Sequence, residues 1–156
     1  MPVHDRTAVL AAIEAELVAM PPVAALGLRA EAYDGLTLRL RAPLAANIND
    51  KGCAFGGSLA SLLTLAGWGL ITARLAEAGL QADVYVADSE VRYKAPLFDD
   101  LVAEAVLAEG EDWDTFEATL RQRGRARITV DAAVRLPDGA IATELRGRFV
   151  AKRRER

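Results

Sequence analysis

Gly56 and Gly57, which stand between a polar loop and a long uncharged stretch, occupy the position that most strongly suggests chemistry. A helix that begins at this pair has several backbone N–H groups without intrahelical partners and a partial positive charge. Because glycine has no side chain, a carbonyl group can approach that backbone. An oxyanion would be stabilised there, and one good donor is typically worth about 3 kcal/mol of barrier. A tight turn from loop to helix is the alternative interpretation of the two glycines.

Polar side chains that could orient or activate a water molecule lie on both sides of this pair. They are Asn49 and Asp50 in the loop, Ser58 and Thr64 on the helix, and Asp88 and Glu90 on the next strand. A carboxylate buried beside an apolar group has a raised pKa and can act as a general base. We predict this role for Asp50, since it is the carboxylate closest in sequence to the glycines. A turn or cap that organises the loop is the alternative role for this residue.

Other catalytic chemistries lack the residues that they need. A serine or cysteine nucleophile ordinarily works with a histidine, but the sole histidine, His4, stands near the N-terminus. We therefore predict that Cys53 is a packed thiol. The sequence has neither the His and Cys clusters of metal sites nor a phosphate-loop or dinucleotide fingerprint. It predicts no metal and no cofactor.

The N-terminal part of the chain predicts a helix followed by a β-hairpin. Residues 6–19 carry one apolar helical stripe, and Pro21-Pro22 prevent the helix from continuing. The stripe consists of Val9, Leu10, Ile13 and Leu17. Residues 24–41 then alternate between apolar and polar side chains, as strands do, and Asp34-Gly35 among them is a strong signal for a two-residue turn.

A long central helix is predicted from the glycine pair to about Ala78, where Gly79 stops it. Residues 52–73 contain no charge, and a run of that length would also suit a membrane span. The glycines, serines and threonines within the run favour instead a helix at the centre of a soluble fold, so we expect no membrane span. Gly67-Trp68-Gly69 would then let a sheet approach closely, with Trp68 filling core volume.

The rest of the chain is predicted to be mostly strand. The expected strands span residues 84–94, 101–109, 126–136 and 141–149. They lack a helix between each successive pair, so the sheet must be antiparallel. Pro137-Asp138-Gly139 supplies the turn between the last two strands. The inward face of the last strand is formed by Ile141, Thr143, Leu145, Gly147 and Phe149. A short inserted helix is expected around residues 113–123, with Asp114 and Glu117 as a capping box.

Composition and charge are those of one folded domain over residues 1–156, with 52% hydrophobic and 26% charged residues. The net charge of -3 gives no long-range attraction to nucleic acid or to anionic membranes, and we expect neither as a partner. Residues 1–20 hold the predicted N-terminal helix, and the basic tail, residues 152–156, is expected to be a solvated terminus. A single cysteine and the lack of a signal-peptide pattern favour the cytoplasm.

Two segments resemble those of a known enzyme family. The run from Asn47 to Leu59, a polar loop that ends in Gly-Gly, resembles the helix start of hot-dog thioesterases. Extended to Gly67-Trp68-Gly69-Leu70, it is similar to the thioesterase family of the YiiD C-terminal-domain type. Val91-Arg92-Tyr93-Lys94-Ala95-Pro96 resembles the strand end that follows the helix in many hot-dog enzymes. The resemblance covers residues 20–150. It implies an α+β hot-dog fold, in which a curved antiparallel sheet of about six strands wraps the long helix.

The resemblance also implies a function, the hydrolysis of acyl-CoA or acyl-carrier-protein thioesters. For this function we predict the catalytic residues Asn49, Asp50, Gly57 and Ser58, and the substrate-binding residues Phe55, Gly56, Thr64 and Arg92. At two positions this sequence differs from the pattern of many hot-dog enzymes. Many of these enzymes have a histidine where this chain has Phe55, and an acid nine positions later, where it has Thr64. The departures leave open a second class of function, a non-catalytic acyl-binding or regulatory module.

The strand at residues 84–94 predicts the assembly of the protein. Both of its faces carry apolar residues, yet its charges cluster along one of them: Asp88, Glu90, Arg92 and Lys94. The hot-dog resemblance implies that this strand pairs antiparallel with its symmetry mate. Such pairing joins two sheets and removes an exposed edge. We expect a homodimer or a dimer of dimers, with the cleft shared between subunits.

Overall fold

Helices and strands follow one another along the chain in a computed structural model that describes residues 5–155; His4 and Arg156 lie outside this range. The helices are α1 (Arg6–Val18), α2 (Pro21–Ala24), α3 (Gly56–Glu77) and α4 (Trp113–Arg123), with a 3-10 turn at Leu44–Ala46. The strands are β1 (Arg29–Tyr33), β2 (Thr37–Ala42), β3 (Ala82–Tyr93), β4 (Leu101–Leu107), β5 (Arg125–Arg135) and β6 (Ile141–Arg153).

The described strands form one antiparallel sheet in the order β1-β2-β4-β5-β6-β3. Strands β1 and β3 are therefore its edges. Helix α3 packs against the inner face of this sheet, where alternate residues of the strands are buried. The predicted α+β hot-dog fold, a long central helix wrapped by a sheet, is confirmed.

Helix α3 is the core of the molecule. By length and composition it could cross a membrane, but 56% of its most apolar 18-residue stretch is buried inside the fold. Its wholly buried side chains include Leu62, Leu63, Leu70 and Ile71. The helix is about 33 Å long at the usual rise per residue, and it contacts strands β2, β3, β4, β5 and β6. The buried part of its apolar surface belongs to the protein core.

Two glycines set the distance between α3 and its neighbours, as the sequence predicted. A Cβ atom at Gly67 would lie 2.9 Å from Cζ of Phe149, and one at Gly69 would lie 3.0 Å from Cδ2 of Leu38. Both of these neighbours are fully buried, so neither can move away. The helix can approach the sheet this closely only because the side chains are missing.

The N-terminal region differs from its prediction in two places. Pro21 and Pro22 open the separate short helix α2, because proline at the first helical position needs no N–H partner. As a result, β1 begins at Arg29, five residues later than the predicted residue 24.

The hairpin between β1 and β2 is confirmed, but its turn is shifted by one residue. Asp34 donates its N–H to the carbonyl of Thr37, so Gly35 and Leu36 are the turn residues. The φ angle of +94° at Gly35 explains why glycine is needed there. The Asp34 carboxylate accepts hydrogen bonds from the N–H groups of Leu36 and Thr37, and these bonds hold its pKa below the ordinary value.

The inserted helix α4 is confirmed, but its predicted capping box is wrong. The N-cap is Asp112, whose extended backbone allows its carboxylate to accept from the N–H of Thr115 at 3.0 Å. Asp114 lies in the first turn instead. Glu117 turns inward to within 3.9 Å of Arg74, and burial raises the pKa of its carboxyl group.

The predicted basic tail is partly a strand. Lys152 and Arg153 are the last residues of β6, and Lys152 lies opposite Arg125 of β5. Arg154 donates its N–H to the carbonyl of Gln81. The interpretation of this segment as a solvated terminus is therefore wrong for residues 152–154, because backbone pairing with the neighbouring strands orders them.

The close contact at Gly67 predicts that Gly67→Ala destabilises the protein. Overpacking against Phe149 typically costs about 1–3 kcal/mol, which exceeds the gain of up to about 1 kcal/mol in helix propensity. Gly56→Ala is the matched control in the same helix, since its Cβ would sit 3.4 Å from the nearest atom, a ring carbon of Tyr93. Urea denaturation should therefore separate the two variants. Equal stability of both would contradict the account of close packing.

Candidate functional site

The start of α3 is fixed by backbone hydrogen bonds on two sides. Ala54 donates its N–H to the carbonyl of Leu97 at 2.8 Å, and Phe55 donates to the carbonyl of Asn47 at 2.7 Å. Phe55 is the N-cap residue, and no side chain caps the helix. The N–H groups of the first turn, at Gly56 and Gly57, therefore have neither intrahelical nor side-chain acceptors. The helix start is therefore held on both sides, and no side-chain acceptor occupies its first N–H groups.

The loop before the helix is organised by two asparagines. Asn47 is buried, and its side-chain amide donates to the carbonyls of Leu26 and Pro43. Asn49 accepts from the N–H groups of Lys51 and Cys53 at 2.8 and 3.1 Å, and its amide donates to the Cys53 sulfur. Cys53 itself is a buried free thiol. Asn49 thus holds the turn that leads to the helix start.

Asp50 lies on the surface of this loop. Its side chain is 80% exposed and forms an ion pair with Lys51 at 2.9 Å. The role of general base predicted for Asp50 depends on burial, and burial is not present within a single chain. The two neighbours of Asp50 in sequence explain this placement, since Asn49 makes the turn and Lys51 offers an adjacent positive charge.

A pocket of about 240 Å³ opens beside the helix start. It is lined by Ala54, Gly56 and Leu59, by Tyr93 at the end of β3 and residues 94–97 after it, and by Thr143 of β6. The ring of Tyr93 lies against Gly56, and its hydroxyl donates to the Gly56 carbonyl at 3.2 Å. The pocket is therefore bounded by the helix end on one side and by the end of the edge strand on the other.

Arg92, which the resemblance implied as a substrate contact, lies on the other face of β3. Successive residues of a strand point to opposite faces, so Tyr93 and not Arg92 lines this pocket. The Arg92 guanidinium pairs with Glu90 at 2.7 Å, and this contact raises the Arg92 pKa. The other carboxylate candidate of the strand, Asp88, pairs with Arg148.

The remaining predicted residues are distributed along the start of α3. Phe55 is 54% exposed, and its ring covers Gly57, where a Cβ would lie 2.6 Å from the ring. Ser58 is buried in the next position. Thr64 lies further along the helix, and its hydroxyl donates to the carbonyl of Ala60 at 2.8 Å. The structure thus brings Phe55, Gly56, Gly57 and Ser58 together, and of these Gly56 lines the pocket.

Thr143 is a site residue that the sequence argument missed. It is wholly buried, and its hydroxyl has no hydrogen-bond partner among the described residues. It lies opposite Tyr93 of β3 in the sheet register. The sequence signal that could have identified Thr143 is that it is a polar residue in the otherwise apolar inward face of β6. A buried polar residue at such a position calls for a chemical or packing explanation.

A larger cavity of about 540 Å³ lies on the other face of the sheet. Its charged groups include Arg146, which pairs with Asp131 at 2.7 Å, as well as the paired Glu90 and Arg92. Groups that already satisfy one another have little left to bind a ligand. We therefore place the candidate site at the smaller pocket, where the helix donors are open. Among residues 5–155, no three His, Cys, Asp or Glu side chains lie close enough to hold a metal ion.

Residues 10–153 match the model of the family described as "Putative thioesterase (yiiD_Cterm)". The chain belongs to the YiiD C-terminal thioesterase family. Several solved structures share the fold of this chain. A protein of unknown function from Chlorobaculum tepidum is 27% identical with a TM-score of 0.90, over 99% of this chain and 100% of that one.

Two further structures are similar to this thioesterase-family chain in fold. One is described as a putative thioesterase from Shewanella oneidensis, with 23% identity and a TM-score of 0.82, over 94% of this chain and 99% of that one. The other, described as a probable thioesterase from Pseudomonas aeruginosa, has 24% identity and a TM-score of 0.78, over 96% and 97% of the two chains. The fold and family predictions made from the sequence are both confirmed.

Proposed function

We propose that this protein hydrolyses acyl-CoA or acyl-carrier-protein thioesters at the start of α3. The observation that carries the proposal is a helix N-terminus that begins with two glycines, has no side-chain cap and opens on a largely apolar pocket. Backbone donors fixed in this way stabilise negative charge without reorganisation. Membership in a thioesterase family supports the same reaction.

The proposed reaction begins when water attacks the thioester carbonyl carbon. A C–O bond forms as the water gives one proton to the general base, and the carbonyl electron pair moves to the oxygen, which the Gly56 and Gly57 N–H groups stabilise. Collapse of this intermediate breaks the C–S bond, and the departing thiolate takes up the proton held by the base. The carboxylic acid product then ionises to the carboxylate and releases the second proton to solvent. The apolar walls of the pocket hold the acyl group.

Asp50 remains our proposed residue for orienting or deprotonating the water. Because its side chain is exposed in one chain, a partner subunit must cover Asp50 before it can act as a general base beside the bound acyl group. The proposal for Asp50 therefore depends on the assembly that we propose below.

Non-catalytic acyl binding is the second candidate, and one specific observation favours it. None of the residues that line the pocket is an acid or a histidine. In this alternative the helix donors bind the ground-state carbonyl and no base is required. Binding of acyl-CoA without turnover would be its signature.

We propose that the working unit is a homodimer or a dimer of dimers. Strand β3, with 12 residues, is an edge strand whose far side is unpaired within one chain. The face of α3 that points away from the sheet is uncharged and partly exposed. This face consists of Gly57, Ser61, Thr64, Leu65 and Trp68. A second copy that pairs along β3 would cover both features.

The enzymatic proposal predicts turnover of acyl-CoAs in an assay that detects the released thiol. Gly57→Val should lower turnover by about 100-fold to 1000-fold, because its side chain blocks the oxyanion donors. The half-exposed Phe55 ring can swing away from the new side chain, so the variant should fold normally by circular dichroism. Asp50→Asn should lower turnover by about 100-fold if Asp50 is the base.

The outcomes of this assay distinguish the proposed hypotheses. Unchanged turnover in Asp50→Asn means that another residue acts on the water. Unchanged turnover in a folded Gly57→Val contradicts the oxyanion proposal. Acyl-CoA binding with no turnover in the native protein favours the binding module.

The assembly proposal predicts that light scattering at micromolar concentration gives a mass at least twice the 16.7 kDa of one chain. Ser61→Glu places a charge on the uncharged face of α3 and should weaken the assembly. Ala118→Glu adds the same charge at an exposed position of α4 and should leave the mass unchanged. A native mass near that of one chain would overturn the dimer and the shared cleft together.

A further inference from the structure

The peptide unit that joins Gly56 to Gly57 has a different partner at each end. Its C=O group belongs to Gly56 and accepts a hydrogen bond from the Tyr93 hydroxyl at 3.2 Å. Its N–H group belongs to Gly57 and lies in the first turn of α3, where an N–H group has no intrahelical acceptor. One planar amide therefore connects the tyrosine to a donor that the proposed reaction uses.

A hydrogen bond at the oxygen of an amide changes the N–H group at its other end. Because the amide is a resonance system, a donor at the oxygen draws electron density from the nitrogen and makes the N–H more positive. Hydrogen bonds that are linked in this way strengthen one another by about 10–30% each. The bond from Tyr93 therefore makes the Gly57 N–H a stronger donor toward an oxyanion.

Tyr93 is held in place before any ligand binds. Its backbone pairs with Thr143 of β6, and the N–H of the next residue, Lys94, donates to the carbonyl of Ala142 at 2.8 Å. Its ring lies against the helix start, since a Cβ atom at Gly56 would sit 3.4 Å from the ring carbon Cε1. A contact that already exists in the free protein requires no reorganisation during the reaction.

Direct contact between the Tyr93 hydroxyl and the substrate carbonyl is the alternative role. The hydroxyl has one proton, and it donates this proton to the Gly56 carbonyl. Only the lone pairs of its oxygen remain for a ligand, and these lone pairs repel the oxygen of a carbonyl or an oxyanion. The tyrosine therefore acts on the carbonyl through the peptide and not by contact.

We propose that Tyr93 is a positioning residue for the reaction at the start of α3. Its hydroxyl holds the peptide between Gly56 and Gly57 and strengthens the Gly57 N–H as an oxyanion donor. This role rests on the proposed function, which puts the thioester carbonyl oxygen at these N–H groups. It also gives the end of the edge strand β3 a part in the chemistry, in addition to its place in the pocket wall.

The test is nuclear magnetic resonance of the protein labelled with 15N at glycine, both free and bound to a ketone analogue of butyryl-CoA. In this analogue a methylene group replaces the thioester sulfur and the carbonyl carbon is 13C. A hydrogen bond to a carbonyl moves the resonance of the following amide nitrogen downfield, and a hydrogen bond to the ketone does the same for its carbon.

Tyr93→Phe keeps the ring and removes the hydroxyl, so it should move the Gly57 nitrogen resonance upfield in the free protein and the ketone resonance upfield in the complex. Tyr93→3-fluorotyrosine, a stronger donor, should move both downfield at a pH where the phenol stays protonated. Tyr85→Phe is the matched control, because Tyr85 is equally exposed but lies near the other end of the same strand. It should move neither resonance.

The same variant has an expected kinetic effect. Loss of a whole oxyanion donor lowers turnover by about 100-fold to 1000-fold, so the loss of 10–30% of its strength corresponds to about 2-fold to 8-fold. In Tyr93→Phe this loss should appear in kcat with KM nearly unchanged, because the donor acts most on the charge that develops in the transition state. An effect on KM alone would contradict the proposed role.

A Gly57 resonance that is unchanged in Tyr93→Phe would overturn the role of Tyr93 and leave the proposed thioesterase function standing. A ketone resonance that responds while the Gly57 resonance does not would mean direct contact, which also contradicts it, and so would a ketone resonance that is unmoved. Both resonances responding as expected in a protein that hydrolyses no thioester would support the role of Tyr93 and refute the enzymatic proposal.

Discussion

The structure depends on how the first turn of the central helix is held. Most helices begin with a Ser, Thr, Asp or Asn whose side chain caps the open N–H groups, and the loss of such a cap costs about 1 kcal/mol. Here the N-cap is Phe55, which offers no such acceptor. The helix start is held instead through the N–H groups of Ala54 and Phe55, which bond to Leu97 and Asn47. This arrangement fixes the position of the donors without occupying them.

The neighbouring segments can be understood as supports for that helix end. Asn47 and Asn49 shape the loop that delivers the chain to it, through bonds to backbone groups. Tyr93, at the end of the edge strand, closes the other side through its bond to Gly56. The far part of the helix contributes differently, since Gly67 lets the helix settle against Phe149 and the sheet. A long apolar helix is thereby buried on one side, while its opposite, uncharged face is partly exposed.

The sequence predicted most of the fold because its signals were periodic and strong. The alternation in β5 and β6 has one good structural explanation, and the glycines, serines and threonines within the uncharged run from residue 52 to residue 73 favoured a core helix over a membrane span. The errors occurred where two local signals competed. The Pro21-Pro22 pair both ends one helix and begins another, and two aspartates two residues apart could each cap α4, of which only Asp112 has the extended backbone that a cap requires.

The site was less predictable than the fold, because sequence distance does not give exposure or strand face. Asp50 is near the glycines along the chain, yet its side chain points to solvent and Lys51. Arg92 and Tyr93 are adjacent, but only the tyrosine faces the pocket. Thr143 lies far from the loop in sequence and reaches the pocket through the pairing of β6 with β3. Contacts of this kind follow from sheet register, which the sequence pattern did not specify.

The central claim, that the open N–H groups at the start of α3 polarise a thioester carbonyl, can be measured directly by difference infrared spectroscopy. The probe is a ketone analogue of acyl-CoA with a 13C-labelled carbonyl, bound to the native protein and to Gly57→Val. Hydrogen bonds from the helix end weaken the C=O bond, so the account predicts a lower carbonyl stretching frequency in the native complex than in water, and loss of this shift in the variant. A native complex that binds the analogue with the carbonyl frequency unchanged from water would contradict the account.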